Sequence, residues 1–194
     1  MKSRAAFVVA PLLVLAYGLI RIVDGFDGSR GPGIAWTTGH LAFLGALALF
    51  VPIFLEMRRM LGRTWPATLS VVVGVVGIAC AGAQFAIDIV IGFMASSHEA
   101  MSPLFDQVRA VPGVSLAVYD AGPFLFYAAQ LALVVQLAVA RQVKWWTPVL
   151  VMLDFAVPTV NKDLIPLGAL CLLVSFLPMI RRTDSGARHA LAHA

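Results

Sequence analysis

The sequence predicts an all-α integral membrane protein, folded as one bundle of about six transmembrane helices. Three observations lead to this fold class. Of the 194 residues, 60% are hydrophobic and only 12% are charged, whereas soluble domains carry roughly 25% charged residues. The apolar residues are gathered into runs near the ~20 residues that a helix needs to cross a bilayer. Several acidic residues nevertheless lie in or beside these runs, where a carboxylate is costly or takes up a proton.

Five to six spans are predicted from the apolar runs. They are residues 5–23, 35–57, 66–95, 117–141, 146–160 and 164–180. The first run resembles a signal peptide because Lys2 and Arg4 precede it, but the bundle needs it as a span, so we interpret it as an uncleaved first helix. The longest connection, residues 96–116, is predicted to hold an interfacial helix or a lid. Residues 1–182 form one predicted domain, and residues 183–194 form a polar tail.

The placement of Lys and Arg predicts that both termini are cytoplasmic. With the N-terminus inside, ten of the 14 basic residues fall in inner segments and four in outer ones, as the positive-inside rule requires. Because the basic residues cluster where membrane topology would place them, the net charge of +4 does not indicate nucleic-acid binding.

Under this topology, the embedded polar residues fall in the outer half of the bundle. Tyr17, Arg21 and Asp24 share one face of the first helix, either as an Arg21–Asp24 ion pair or as part of a site. His40 lies about one turn into the second helix. Gln84 and Asp88 are four residues apart in the third, where either a partner for Asp88 comes from another helix or its carboxyl is protonated.

The later helices add two more carboxylates. Asp120 precedes Pro123, so capping the helix that begins there is the favoured interpretation. Alternatively the helix starts near Val114, kinks at Pro123 and places Asp120, Tyr127 and Gln130 on one face. Asp154 is the strongest candidate for chemistry. It lies in the middle of a short run, four residues before Pro158, whose ring is expected to interrupt the helix, and such broken spans occur where backbone lines a cavity.

These positions define a candidate site. The predicted catalytic residues are Asp154, Asp88, Asp120, Asp24 and His40. The predicted substrate-contacting residues are Trp36, Gln84, Phe85, Tyr119, Tyr127 and Phe155. We predict no metal and no cofactor, because a single embedded His excludes paired haem ligation, and neither a metal-ligand spacing nor a phosphate-binding glycine loop is present.

An apolar chamber with carboxyls, an imidazole and aromatic rings suits two tasks. One is proton-initiated carbocation chemistry on a prenyl chain, in which an acid protonates an alkene, aromatic faces stabilise the cation and a base removes a proton. The other is proton-coupled transport of a small solute. A non-catalytic membrane subunit with internally paired acids is the third interpretation.

In size, helix number and character, most of the chain resembles the small membrane-integral terpene cyclases of actinomycete indole- and diketopiperazine-terpenoid pathways (the drimentine type). The most distinctive stretch is residues 24–43, DGFDGSRGPGIAWTTGHLAF. The resemblance implies a metal-independent, acid-initiated cyclisation of a farnesyl chain attached to an acceptor. It also implies a lipophilic prenylated substrate and a location in the bacterial plasma membrane. No catalytic residue is assigned from the resemblance.

Overall fold

The computed structural model describes residues 2–26 and 28–192, and the regular secondary structure of this part of the chain is entirely helical. The α-helices are α1 (Lys2–Asp24), α2 (Ile34–Met60), α3 (Trp65–Met94), α4 (His98–Arg109), α5 (Gly122–Val139), α6 (Trp146–Val160) and α7 (Ile165–Ala192). A π-helical segment (Ser115–Asp120) precedes α5, and a 3₁₀ turn (Lys162–Leu164) precedes α7. The predicted all-α bundle is confirmed.

Five helical stretches are long and apolar enough to cross a membrane. They are Arg4–Asp24, Ile34–Met60, Trp65–Met94, Ser115–Val139 and Lys162–Ile180. The remaining predicted span, residues 146–160, corresponds to α6, which has 15 residues and rises about 22 Å at 1.5 Å per residue. The count of five to six is therefore confirmed, and α4 occupies the connection in which an interfacial helix or lid was predicted.

Six helices close into a ring, namely α1, α2, α3, α5, α6 and α7. α1 packs against α2 and α7, α3 packs against α2 and α5, and α6 packs against α5 and α7, while α2 also meets α5. We call the end of the bundle that carries α4 the α4 end. It also holds the C-terminal ends of α1, α3 and α6 and the N-terminal ends of α2, α5 and α7. The other end, with the connection between α2 and α3, is the opposite end.

The opposite half of the bundle is densely packed. Phe7 and Phe176 meet edge to face with their ring centroids 5.2 Å apart, and neither is exposed. Glu56, whose position beside Arg58 and Arg59 in the sequence would suit a solvated interfacial charge, is instead buried, and its carboxylate accepts a hydrogen bond from Arg59 at 2.5 Å. The core of this half consists of buried apolar side chains packed against one another.

Two predictions about helix ends were wrong. Asp120 does not cap α5, because the residue at the N-cap position is Ala121 and no side chain bonds there; the Asp120 carboxylate accepts a bond from the Ser115 hydroxyl at 3.0 Å. The alternative, a span that starts near Val114, is what the structure has. Likewise, α6 continues through Pro158 and ends at Val160. α7 extends into the predicted tail; His193 and Ala194 lie outside the described residues.

Gly77 allows the closest approach of two ring helices. A Cβ added there would lie 2.1 Å from the backbone nitrogen of Phe126 on α5, a distance that only a backbone shift can relieve. We therefore expect Gly77→Ala to lower the thermal unfolding temperature of the detergent-solubilised protein, because overpacking costs about 1–3 kcal/mol. Gly82→Ala on the same helix is the matched control, since nothing lies within 4 Å of its added Cβ and alanine favours the helix. Equal melting temperatures for the two variants would contradict the prediction.

Candidate functional site

A central cavity of about 500 Å³ lies inside the ring, and all six ring helices contribute to its lining. Along α2 it extends from Trp36 to Phe50, a rise of about 21 Å. Phe50 and Phe126 meet edge to face at its floor, with their centroids 4.8 Å apart. Its volume lies within the range of small-molecule sites, about 300–1,000 Å³.

Most of the predicted site residues line this one cavity. Of the predicted catalytic residues, it collects Asp154, Asp88 and His40. Of the predicted substrate-contacting residues, it collects Trp36, Gln84, Phe85, Tyr127 and Phe155. These residues, which lie on four separate helices, therefore converge in space.

Three titratable side chains of the lining occupy matching positions on their helices. His40, Asp88 and Asp154 each lie six residues from the α4-end terminus of their helix (34 to 40, 88 to 94 and 154 to 160). This spacing corresponds to about 9 Å of helix. All three are buried, with 5%, 8% and 7% of their surface exposed. A ligand in the cavity would therefore face an imidazole and two carboxyls.

His40 and Asp88 form a pair between α2 and α3. The His40 Nδ1 lies 2.6 Å from the Trp36 carbonyl oxygen, which can only accept, so Nδ1 carries a proton and donates. The His40 Nε2 then faces Asp88 Oδ2 at 3.6 Å, and the Trp36 indole N–H donates to the Asp88 carbonyl at 2.8 Å. The partner that Asp88 required from another helix is therefore His40. Asp88 Oδ1 is buried and has no hydrogen-bond partner within the described residues.

Asp154 is held between α5 and α7. The fully buried Gln130 on α5 donates from Nε2 to Asp154 Oδ2 at 3.5 Å. On the other side, a Cβ added at Gly168 would lie 2.9 Å from the Asp154 carbonyl oxygen and 3.3 Å from Oδ1. The lack of a side chain at Gly168 lets α7 approach the carboxyl closely, so Asp154 faces the cavity from a tightly defined position.

Aromatic rings form two walls beside these groups. On one side, Phe43 and Phe85 stack at 4.2 Å with an interplanar angle of 9°, and Tyr17 meets Phe43, Phe85 and His40 edge to face. On the other side, the Tyr127 and Phe155 rings lie 4.9 Å apart. Faces of this kind can stabilise a cation that develops between them.

Three predicted residues do not line the central cavity. Asp120 is exposed and bonded to Ser115. Tyr119 is half-buried beneath the Arg109 guanidinium, which lies 5.0 Å from the ring centroid. Asp24 lines a separate small hollow beside Arg21 and His40. The structure therefore gives Asp120 and Tyr119 no position from which to contact a ligand in the cavity, and Asp24 no direct one.

Other lining residues were not among the predicted site residues. Arg21 and Lys162 line the cavity toward the α4 end, and Phe43 and Phe50 form part of its wall and floor. Gln130 was noted only on the face shared with Asp120. For Arg21 the signal was present, because it lies one helical turn after Tyr17 on the face that was considered as part of a site. Arg21 Nε also lies 3.9 Å from Asp163 Oδ1.

Neither the side chains of the described residues nor the comparisons with known proteins identify a ligand for the site, so we interpret it from its own geometry. Among residues 2–26 and 28–192, no group of three or more His, Cys, Asp or Glu side chains is arranged to hold a metal ion. The chemistry at hand is thus that of two carboxyls and one imidazole in an aromatic cavity. Comparison with known protein families, curated proteins and solved structures gave no match, so the resemblance to terpene cyclases stays a prediction.

Proposed function

We propose that this chain is a membrane-embedded cyclase that isomerises a prenyl chain by protonating it. The observation that carries the proposal is the aromatic cavity that Asp154, Asp88 and His40 line together. A prenyl chain is apolar enough to enter such a cavity from the bilayer, and its reaction needs what the cavity offers, namely an acid, cation-stabilising faces and a base. The bacterial plasma membrane is the proposed location.

Asp154 is the proposed acid. Its carboxyl is buried and receives one long hydrogen bond, and desolvation of this kind favours the protonated form of a carboxyl group. The Asp154 proton adds to one carbon of a terminal double bond, which leaves a cation on the other carbon. Successive alkene bonds then attack that cation and form the ring carbon–carbon bonds.

His40 is the proposed base: the Trp36 carbonyl orients its ring, and the Asp88 carboxylate, 3.6 Å from Nε2, stabilises the imidazolium that forms when Nε2 takes up a proton. Because His40 Nδ1 donates to the Trp36 carbonyl, Nε2 is the nitrogen with a free lone pair in the neutral ring. It takes a proton from a carbon next to the final cation, and a double bond forms there. The atoms gained and lost balance, so the product has the same mass as the substrate and no cofactor is consumed.

The packing of the opposite half favours the cyclase over a proton-coupled transporter. A transporter must open its site alternately to both sides, whereas here the cavity ends on Phe50 and Phe126 and the buried apolar core follows. Proteoliposomes with a trapped pH indicator separate the two functions. Solute-dependent proton uptake without a change in the solute would support transport and contradict the cyclase.

The direct test is incubation of membranes that contain the protein with a farnesylated aromatic acceptor. We expect a product of unchanged mass and altered chromatographic retention, absent from membranes without the protein. Because the proposed proton transfer uses only side chains, turnover should be unchanged after treatment with EDTA. Loss of turnover that Mg²⁺ restores would contradict the metal-independent mechanism, and absence of any mass-neutral product across prenylated acceptors would contradict the cyclase itself.

A further inference from the structure

A second cavity adjoins the central one at the α4 end. It has a volume of about 390 Å³ and lies between the α1–α2 connection and α4. We call it the vestibule; its lining includes Arg21, Arg30, Trp36, His98, Ser102 and Phe105. Arg21 and Trp36 line the vestibule and the central cavity alike. A single ligand could therefore occupy both spaces by passing these two side chains.

The vestibule is held in place by contacts between α4 and the α1–α2 connection. A ring nitrogen of His98, at the start of α4, hydrogen-bonds to the Arg30 carbonyl oxygen. Gly31 permits this approach, because a Cβ added there would lie 3.1 Å from the His98 Cβ. Met101 anchors α4 with 3% of its surface exposed. The polar wall of the vestibule is thus a defined surface of the fold.

Two guanidinium groups meet in this wall. Arg30 Nη2 donates to Asp163 Oδ1 at 2.7 Å, and Arg30 Nε donates to the Arg21 carbonyl at 3.3 Å, so Arg30 is fixed beside Arg21. Lys162 adds a third cation, on the central-cavity side. Asp163 is the carboxylate that these contacts already use, and Asp24 lies in the small hollow next to Arg21.

Arg21 is only partly paired by the acceptors of the described residues. Its Nε is buried, lies 3.9 Å from Asp163 Oδ1 and has no hydrogen-bond partner among these residues, and 19% of its side chain is exposed. A buried donor left unpaired is unfavourable. The planar guanidinium fork is also the geometry that recognises a carboxylate or a phosphate. An anionic group in the vestibule would meet this side chain where it lines the wall.

We propose that the vestibule binds the anionic group, a carboxylate or a phosphate, of an amphiphilic substrate whose apolar chain lies in the central cavity. The inference rests on the proposed function for the fate of that chain, and it adds a substrate class. The anion bonds to Arg21 and Arg30, and Lys162 lies on the central-cavity side of Arg21. The chain then runs past Trp36 toward Asp154, so the vestibule fixes which double bond meets the acid.

The test is a binding measurement on the full chain in phosphatidylcholine nanodiscs, by calorimetric titration. The probes are farnesyl phosphate, farnesoic acid, the uncharged farnesol and inorganic phosphate. We expect both anionic probes to bind at least about tenfold more tightly than farnesol, since charge-assisted hydrogen bonds exceed neutral ones. Inorganic phosphate should bind more weakly than farnesyl phosphate because it lacks the chain.

Matched variants locate the effect. Arg21→Gln is expected to lower the affinity for the anionic probes by about tenfold and to leave the affinity for farnesol unchanged. Lys144→Gln removes an exposed cation at the opposite end. It should change neither the affinity for the anionic probes nor that for farnesol. Asp163→Asn removes the carboxylate that competes for Arg30, so this variant should bind farnesyl phosphate at least as tightly as the native protein. Retained or tighter binding also shows that a substitution at this site does not simply unfold the protein.

Several results would overturn the inference. One is that farnesol binds as tightly as both anionic probes. Another is that Arg21→Gln, with unchanged folding, loses affinity equally for all the probes. A third such result is that phosphatidylglycerol displaces farnesyl phosphate at equal concentration and that Arg21→Gln weakens the binding of phosphatidylglycerol. This result would assign the vestibule to a bilayer lipid and overturn the substrate class. Anion preference that persists in Asp154→Asn while no prenyl chain is ever converted would instead contradict the cyclase and leave the vestibule assignment standing.

Discussion

Asp154→Asn is expected to lower the rate of mass-neutral product formation by about 10²- to 10⁴-fold, the usual contribution of a general acid. Asparagine keeps the size of the side chain and can still accept the bond from Gln130, but it has no acidic proton to give. Initiation should therefore fail while binding of the prenyl chain persists. The measurement is single-turnover conversion of the farnesylated acceptor, with substrate binding followed separately by calorimetry.

Asp120→Asn is the control for this experiment. It makes the same chemical change at an exposed carboxylate that lies outside the central cavity, and it should leave the rate unchanged. Gly168→Ala offers a second comparison, because its added Cβ would press on Asp154 and should lower the rate without removing the acid. Full turnover by Asp154→Asn would show that the proton comes from another group.

His40→Gln is expected to change the product as well as the rate. In the proposed mechanism the acid still starts the reaction, but the final cation loses its nearest base, so the rate should fall by roughly 10²-fold and a water-quenched alcohol should accumulate. Such a product is heavier than the substrate by one water and is readily distinguished by mass spectrometry. Asp88→Asn should act in the same direction, because Asp88 faces the same imidazole nitrogen.

A double-variant cycle checks that these two residues act as one unit. If His40 and Asp88 serve the same step, the combined variant should be little worse than the poorer single one. Gln84→Leu, at a cavity residue without acid–base chemistry, should change substrate affinity and leave the product unaltered. Additive losses in the cycle, or an unchanged product from His40→Gln, would remove His40 from the proposed base role.

The long helices were predictable because length and hydropathy alone determine where a chain can cross a bilayer. The run at 66–95 is predicted within one residue of the observed helix, Trp65–Met94. Similarly, the matching helix positions of His40, Asp88 and Asp154 follow from helical rise, once alternate spans are assumed to run in opposite directions. This is why a cavity with these three residues could be expected from the sequence.

The predictions that were wrong involve local winding and tertiary approach. Asp120 lies in a π-helical segment, whose different number of residues per turn rotates it away from the face calculated for an α-helix through Tyr127. The roles of Gly168 and Gln130 depend on how α5, α6 and α7 pack together, which no spacing within one helix reveals. Lys162 reaches the cavity because it lies in the 3₁₀ turn that follows the end of α6 at Val160.

The shortness of α6 also has a consequence for the surrounding lipid. α2 and α3, with 27 and 30 residues, rise about 40 and 45 Å, well beyond a hydrocarbon layer of about 30 Å. α6 falls short of that layer, and such hydrophobic mismatch is relieved by local thinning of the membrane. Head groups and water are thereby drawn down beside α6, and a proton spent by a carboxyl in the middle of this helix has a short route by which it can be replaced.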